Sequence, residues 1–332
     1  MRKINCLLAL FMIPPAHASN LRIDPIFDHS ITSNPQAALV KQAINDAISV
    51  FEKYVSANSP VTVSINFNLT ADSSNLGSSN LQPLDIPYSQ YLNYLHAYTN
   101  KSVIQTTAFS SLPMEAITGV KINTDYVLLT PADLAAIGDK KDAATALINN
   151  NGTDGTISLN LANSNGKADL QATAEHEIDE VLGIGGWGST IVTGALPSDI
   201  GAMDLYRYSA PGVRSFTNDT STSAYFSING GETNLVYFDQ LNNAGGDFGD
   251  WGSPDGTESN NPPQVQDAAG GSSTIFPVLG VNELTGLNAI GWDLTPAGAS
   301  VAEPLISLPT PSSIWLMLSG LLLMTRQSRK TR

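Results

Sequence analysis

Five of the six residues from Glu175 to Glu180 are ionisable, in a 332-residue chain whose charged fraction is 14%. Within this run His176 and Glu180 are four apart. On a helix that spacing puts both side chains on one face, one turn apart. An imidazole nitrogen and a carboxylate oxygen so placed offer two donors that a divalent ion such as Zn²⁺ accepts. Glu177, on the adjoining edge, is the candidate general base for water beside such an ion. The bland alternative is a solvated acidic helix face.

The helix that must carry these groups is legible. Ile178, Val181 and Leu182 lie on one stripe, continued upstream by Leu170 and Ala174, and Gly183 follows. Before it, Pro35–Ser56 repeats apolar residues at helical spacing, with Ser33 or Asn34 as its cap. Val61–Phe67 alternates and is β-branched, a strand with one buried face. Tyr88–Tyr98 reads as helix and contains His96, which is expected to be packed or at the surface rather than a ligand. Tyr126–Leu129 reads as a strand, and Thr130-Pro131-Ala132-Asp133 as a capped helix start ended by Gly138. Thr156–Leu161 is a further strand. Helices and strands in this order predict an α+β fold, a mixed sheet flanked by helices.

After Gly183 the composition shifts. Gly183–Gly188 matches G-x-G-x-x-G, but it follows a helix and precedes none, so a dinucleotide fingerprint is rejected. Asp204–Tyr208 and Ala224–Ile228 look like strands. On the first of these, Tyr206, Arg207 and Tyr208 are either oxyanion stabilisers or ordinary strand alternation. Asn242–Pro263 is a Gly/Asn/Asp-rich loop with Asp247, Asp250, Asp255 and Glu258, a turn-rich loop with weak Ca²⁺ potential. Glu283–Trp292 closes the chain's body as a helix. The expected organisation is an N-terminal lobe, 19–186, bearing the acidic helix, and a smaller irregular C-terminal lobe, 187–298, with a cleft between.

The ends read as addresses. Arg2-Lys3, an apolar run to Ile13 and Ala16-His17-Ala18 make residues 1–18 a secretory signal peptide. Residues 299–332 form a linker, a short apolar run from Ile314 to Met324 and a basic tail. The run is shorter than the ~20 residues of a stable span. This end resembles the PEP-CTERM sorting signal of Gram-negative bacteria that make exopolysaccharide, with Pro309-Thr310-Pro311 replacing Pro-Glu-Pro. The resemblance implies export to the cell surface, recognition by an exosortase-like sorting enzyme and membrane contact through residues 314–324. Formal net charge is −14, and residues 19–325 hold all 30 acids and 10 of 16 bases. Such a body repels nucleic acid. Cys6, the single cysteine, lies in the signal, so any metal must be held by nitrogen and oxygen.

Together Ala174–Gly183, Asp204–Arg214, Ala224–Gly231, Gly245–Trp251 and Ile290-Gly291-Trp292 resemble a family of exported, PEP-CTERM-bearing bacterial zinc metalloproteases. The likeness runs from the helix near residue 35 to Trp292. It implies a zincin-like or metzincin-like fold, with HExxE in place of HExxH, and hydrolysis of a peptide or protein substrate. His176 and Glu180 are then zinc ligands and Glu177 the catalytic base. A zincin's metal helix follows an edge strand that holds extended substrate, and Thr156–Leu161 is the candidate. Metzincins place a third ligand where Gly186 stands, so that donor must come from elsewhere. Asp199 and Asp204 are the nearest acids, and Met203 beside Asp204 resembles the metzincin methionine turn. Asp204 is the preferred third ligand, though spacing does not separate the two. The rival function is a non-catalytic matrix or surface protein on a degenerate zincin scaffold, with a structural or Ca²⁺-binding acidic cluster. A paired-carboxylate glycosidase is a third, less supported idea.

Overall fold

The computed structural model describes residues 19–71, 75–114, 126–164, 166–191, 200–240, 247–252, 263–268 and 279–302. The signal segment, the 314–324 run, Asp199, Asp255 and Glu258 lie outside them. Among the described residues no helix is long and apolar enough to cross a membrane. The architecture is α+β, with several small sheets and many helices.

The main sheet has four strands in the order Leu21–Phe27, Val61–Leu69, Gly155–Leu159, Gly77–Asn80. The first three run parallel and the last is antiparallel to its neighbour. Val61, Val63, Ile65 and Phe67 turn inward on alternate positions, as the β-branched run predicts. Two corrections follow. Leu21–Phe27 is a strand that the sequence reading missed; its Pro25 sits on the outermost strand, where a missing N–H costs no ladder bond. The second concerns the strand expected at the edge, Thr156–Leu161. It is Gly155–Leu159 and lies inside the sheet, while the edge belongs to Gly77–Asn80.

The helix Ala37–Tyr54 crosses from the first strand towards Val61 and buries Val40, Ala43, Ile44, Ala47, Ile48 and Phe51. It starts later than expected and has no side-chain cap. Asn34 instead accepts from the Gln36 N–H (2.8 Å), turning the chain after a separate short helix, His29–Thr32, capped by Asp28. Against Ala37–Tyr54 packs the acidic helix, Lys167–Val181, through Leu170, Ala174, Ile178 and Val181, all fully buried. His96 is exposed at the end of Tyr88–Ala97.

Residues after Gly186 build the floor and cover of the acidic helix. Met203–Tyr206 is a tight 3₁₀ turn rather than strand, and Arg207–Ala210 pairs with Tyr225–Phe226. Val281–Ile290 is buried over nearly its whole length, and Trp292 after it donates to Leu182 O (2.9 Å) and Asp133 Oδ1 (3.1 Å). The indole N–H thereby supplies a donor to the carbonyl of Leu182, the C-cap of the acidic helix.

A candidate metal centre on the acidic helix

The helix residues are not a solvated face. Glu175, Glu177, Asp179 and Glu180 are all buried, at 0–6% exposure. Only His176 opens outward, with an 18% exposed side chain. Its Nδ1 lies 2.9 Å from Val265 O, a contact in which the ring N–H donates and Nε2 faces the opposite way. Nε2 lies 3.6 Å from Glu180 Oε1 and 3.8 Å from Asp250 Oδ2. Donor atoms of His176, Glu180 and Asp250 all fall within 4.8 Å of one another, and this group can hold a metal ion. Among the described residues it is the one such group of three or more.

The donors fit a small cation. Ligands about 2.1 Å from a tetrahedral ion stand roughly 3.4 Å apart, near the 3.6 and 3.8 Å that separate His176 Nε2 from Glu180 and Asp250. One neutral imidazole and two carboxylates balance a divalent charge. Each donor is held from outside. Ser79, on the edge strand, donates its hydroxyl to Glu180 Oε2, and Gly186 N–H donates to Oε1 (3.2 Å). Asp250 Oδ2 accepts from Asp247 N–H (3.1 Å) and Oδ1 from Gln266 Nε2 (2.9 Å). Such outer partners orient metal ligands. Asp250 itself is carried by Trp251, which packs on Phe226 and Phe238 and donates to Glu283 Oε1 (3.2 Å).

The electrostatics are those of a crowded buried site in which carboxyl groups surround one imidazole. Burial pushes the Asp250 carboxyl up to about 7, with His176 partly offsetting it. Burial and the nearby Glu180 raise Asp247 to about 6. Burial, then Glu180, drives Glu177 well above the usual carboxylate range. Burial lowers His176, but Asp250, Glu180 and Glu177 outweigh it and hold the imidazole well above its ordinary value. A bound cation would replace these protons. Glu177 Oε2 is buried with no hydrogen-bond partner. Gly77 of the edge strand lies against the same carboxylate, since a Cβ there would stand 2.6 Å from Glu177 Oε1.

Of the sequence-derived residues, His176 and Glu180 come together with Asp250, and Glu177 lies buried beside them. Asp204 does not join them. Its carboxylate accepts from Ser189 Oγ (2.6 Å), Thr190 N–H (3.0 Å) and Gly201 N–H (2.9 Å), pinning the turn after the glycine-rich segment. Those bonds occupy the oxygens that a ligand would need. Asp250 is the carboxylate at the centre instead. Its signal was faint: an Asp followed by Trp in a glycine-rich loop, where a large apolar residue anchors the chain. Gly186, at the metzincin third-ligand position, is beside the site. A Cβ there would sit 2.5 Å from Glu180 Oε1 and 2.6 Å from Asp247 Oδ2, so a side chain would displace these two carboxylates. Tyr206 and Arg207 are structural. Tyr206 hydroxyl donates to Ala289 O (2.8 Å), and Arg207 is buried, donating to Phe248 O and Gln240 and stacking on Phe238.

No protein-family model, no curated protein and no solved structure matches this chain.

Proposed function

We propose that this chain is an exported metal-dependent peptidase of zincin-like design, with zinc held by His176, Glu180 and Asp250. One observation carries the reading. Three donors suited to a divalent ion converge beside Glu177, whose buried carboxylate oxygen has no partner. Calcium fits less well, because it takes six to eight oxygen ligands and an imidazole is not one. A bound zinc supplies Lewis acidity towards a peptide carbonyl and towards water.

The chain's own residues supply the rest. Glu177 Oε2 accepts a proton from the attacking water and returns it to the leaving amine nitrogen. Its raised basicity, caused first by burial, suits a group that must hold a proton between those steps. Gly77–Asn80 ends the sheet beside Glu177, so an extended peptide can add to it through backbone hydrogen bonds. The hydroxyl of Ser79 in that strand keeps Glu180 aimed at the ion. Export to the surface of a Gram-negative bacterium, and handling by an exosortase-like enzyme, rest on the two terminal segments of the sequence.

The rival, a non-catalytic surface protein on the same scaffold, draws on one observation. A protonated His176 would pair with Glu180 (3.6 Å) and Asp250 (3.8 Å) and offset one of their two charges without a metal. Metal analysis of the purified chain, with casein hydrolysis by wild type and Glu177→Gln, decides between them. The peptidase reading expects about one zinc per chain in both proteins and hydrolysis in wild type alone. Absence of zinc together with absence of hydrolysis sinks it.

A further inference from the structure

Gln266, which donates to Asp250, also stands against His176 inside the donor cluster. The side chain is fully buried. Its Nε2 lies 3.2 Å from His176 Nε2 and 2.9 Å from Asp250 Oδ1. These separations resemble those among the three donors themselves. Its other terminal atom, Oε1, is buried and makes no hydrogen bond. An unpaired buried amide oxygen costs free energy that the fold retains only if something offsets it.

The backbone around the amide is fixed, so its position is not incidental. Gln266 N–H donates to Glu283 Oε1 (3.3 Å), and its carbonyl accepts from Trp251 N–H (2.7 Å). The preceding carbonyl, Val265 O, holds His176 Nδ1. One dipeptide thus orients the imidazole and presents an amide at its far nitrogen. Amide oxygen and nitrogen have nearly the same shape, and half a turn about the last side-chain bond exchanges them. Without a cation, the carboxylate of Asp250 draws the NH₂ towards it. With a cation between His176 and Asp250, the same NH₂ would point at positive charge, and the oxygen is the atom that fits.

We infer that Gln266 is a fourth donor to the ion, its side-chain oxygen turning towards His176 and Asp250 when a divalent cation binds. This rests on the metal-site reading above. The centre is then a His/Glu/Asp/Gln set contributed by the acidic helix and two later loops, and the water of the peptidase reading would take a fifth position on the ion. The neutral fourth donor leaves the charge balance of a divalent ion unchanged.

Zinc titration calorimetry at neutral pH on the purified chain tests this, with Gln266→Ala, Gln266→Glu and His176→Ala beside wild type. The expected result is about a tenfold or greater loss of zinc affinity for Q266A. Q266E, which keeps a donor oxygen but cannot donate to Asp250, should bind at least as tightly as wild type. If Q266E weakens binding as much as Q266A, Gln266 only positions Asp250 and the inference falls. Equal affinity of Q266A and wild type also overturns it, leaving the three-ligand site standing. No zinc binding by wild type, or undiminished binding by H176A, overturns the parent reading as well. A crystal structure of zinc-loaded wild type needs no variant to fold: it should show Gln266 Oε1 about 2.2 Å from the ion, and NH₂ facing it refutes the assignment.

Discussion

At the scale of single residues, the proposed site divides into groups that would hold an ion and groups that aim them. Ser79 belongs to the second kind, donating to Glu180 from the edge strand. Ser79→Ala should lower zinc affinity about tenfold, read by competition with a chromophoric chelator, while far-UV circular dichroism stays unchanged. Asp204 belongs to neither. Asp204→Asn replaces one acceptor oxygen in a buried three-donor cluster, so stability should fall by about 1–3 kcal/mol in urea unfolding. Zinc content should remain that of wild type, and a loss of zinc would return Asp204 to the ligand set. The mutual placement of His176, Glu177 and Glu180 was readable because all three lie within five residues, where helical geometry alone relates them. The third donor was not readable, because Asp250 reaches the site only through the packing of Trp251.

At the scale of elements, the acidic helix was visible from its apolar stripe, and its C-terminal stop from Gly183. The structure adds the reason that this stop is a glycine. Its φ is +99°, and any Cβ would overlap the Asp133 carboxylate. Gly183→Ala should therefore cost about 2 kcal/mol or more, measured as a drop in the denaturation midpoint. A cost near zero would mean that the turn can rearrange. The edge strand was invisible for the opposite reason. Gly77-Ser78-Ser79-Asn80 has no apolar alternation and no β-branched residue, so nothing local marks it. Pairing with Gly155–Leu159 and contact with the acidic helix make it a strand. For Arg207 the sequence offered two readings, oxyanion stabiliser or ordinary strand residue, and burial under Phe238 favours the second.

At the scale of the molecule, buried acids set the response to pH. Burial raises Asp133 to about 8, although Trp292 and Thr130 bond to it, and raises Asp154 to about 6. Neither belongs to the metal group. For both, the folded state holds a proton that the unfolded chain releases near pH 4. Between about pH 4 and pH 8 the folded state therefore binds more protons, and stability falls as pH rises. Chelator-treated protein should melt at a lower temperature at pH 8 than at pH 5. Asp133→Asn should flatten that slope by keeping an acceptor for Trp292 without a charge to bury. A profile rising towards pH 8 would contradict the assignment. Added zinc should oppose the loss at high pH, because deprotonated ligands bind it more tightly.

The sequence by itself determined the acidic helix, the relation of His176 to Glu177 and Glu180, and the alternating strand at Val61–Phe67. Each is a pattern in which neighbours along the chain are neighbours in space. Tertiary structure alone decided which strand forms the sheet edge, which carboxylate completes the metal group and why Gly186 offers none. Asp250 is seventy residues beyond Glu180. No periodicity spans that distance, and only the aromatic packing around Trp251 and the bonds of Glu283 bring its carboxylate to the helix.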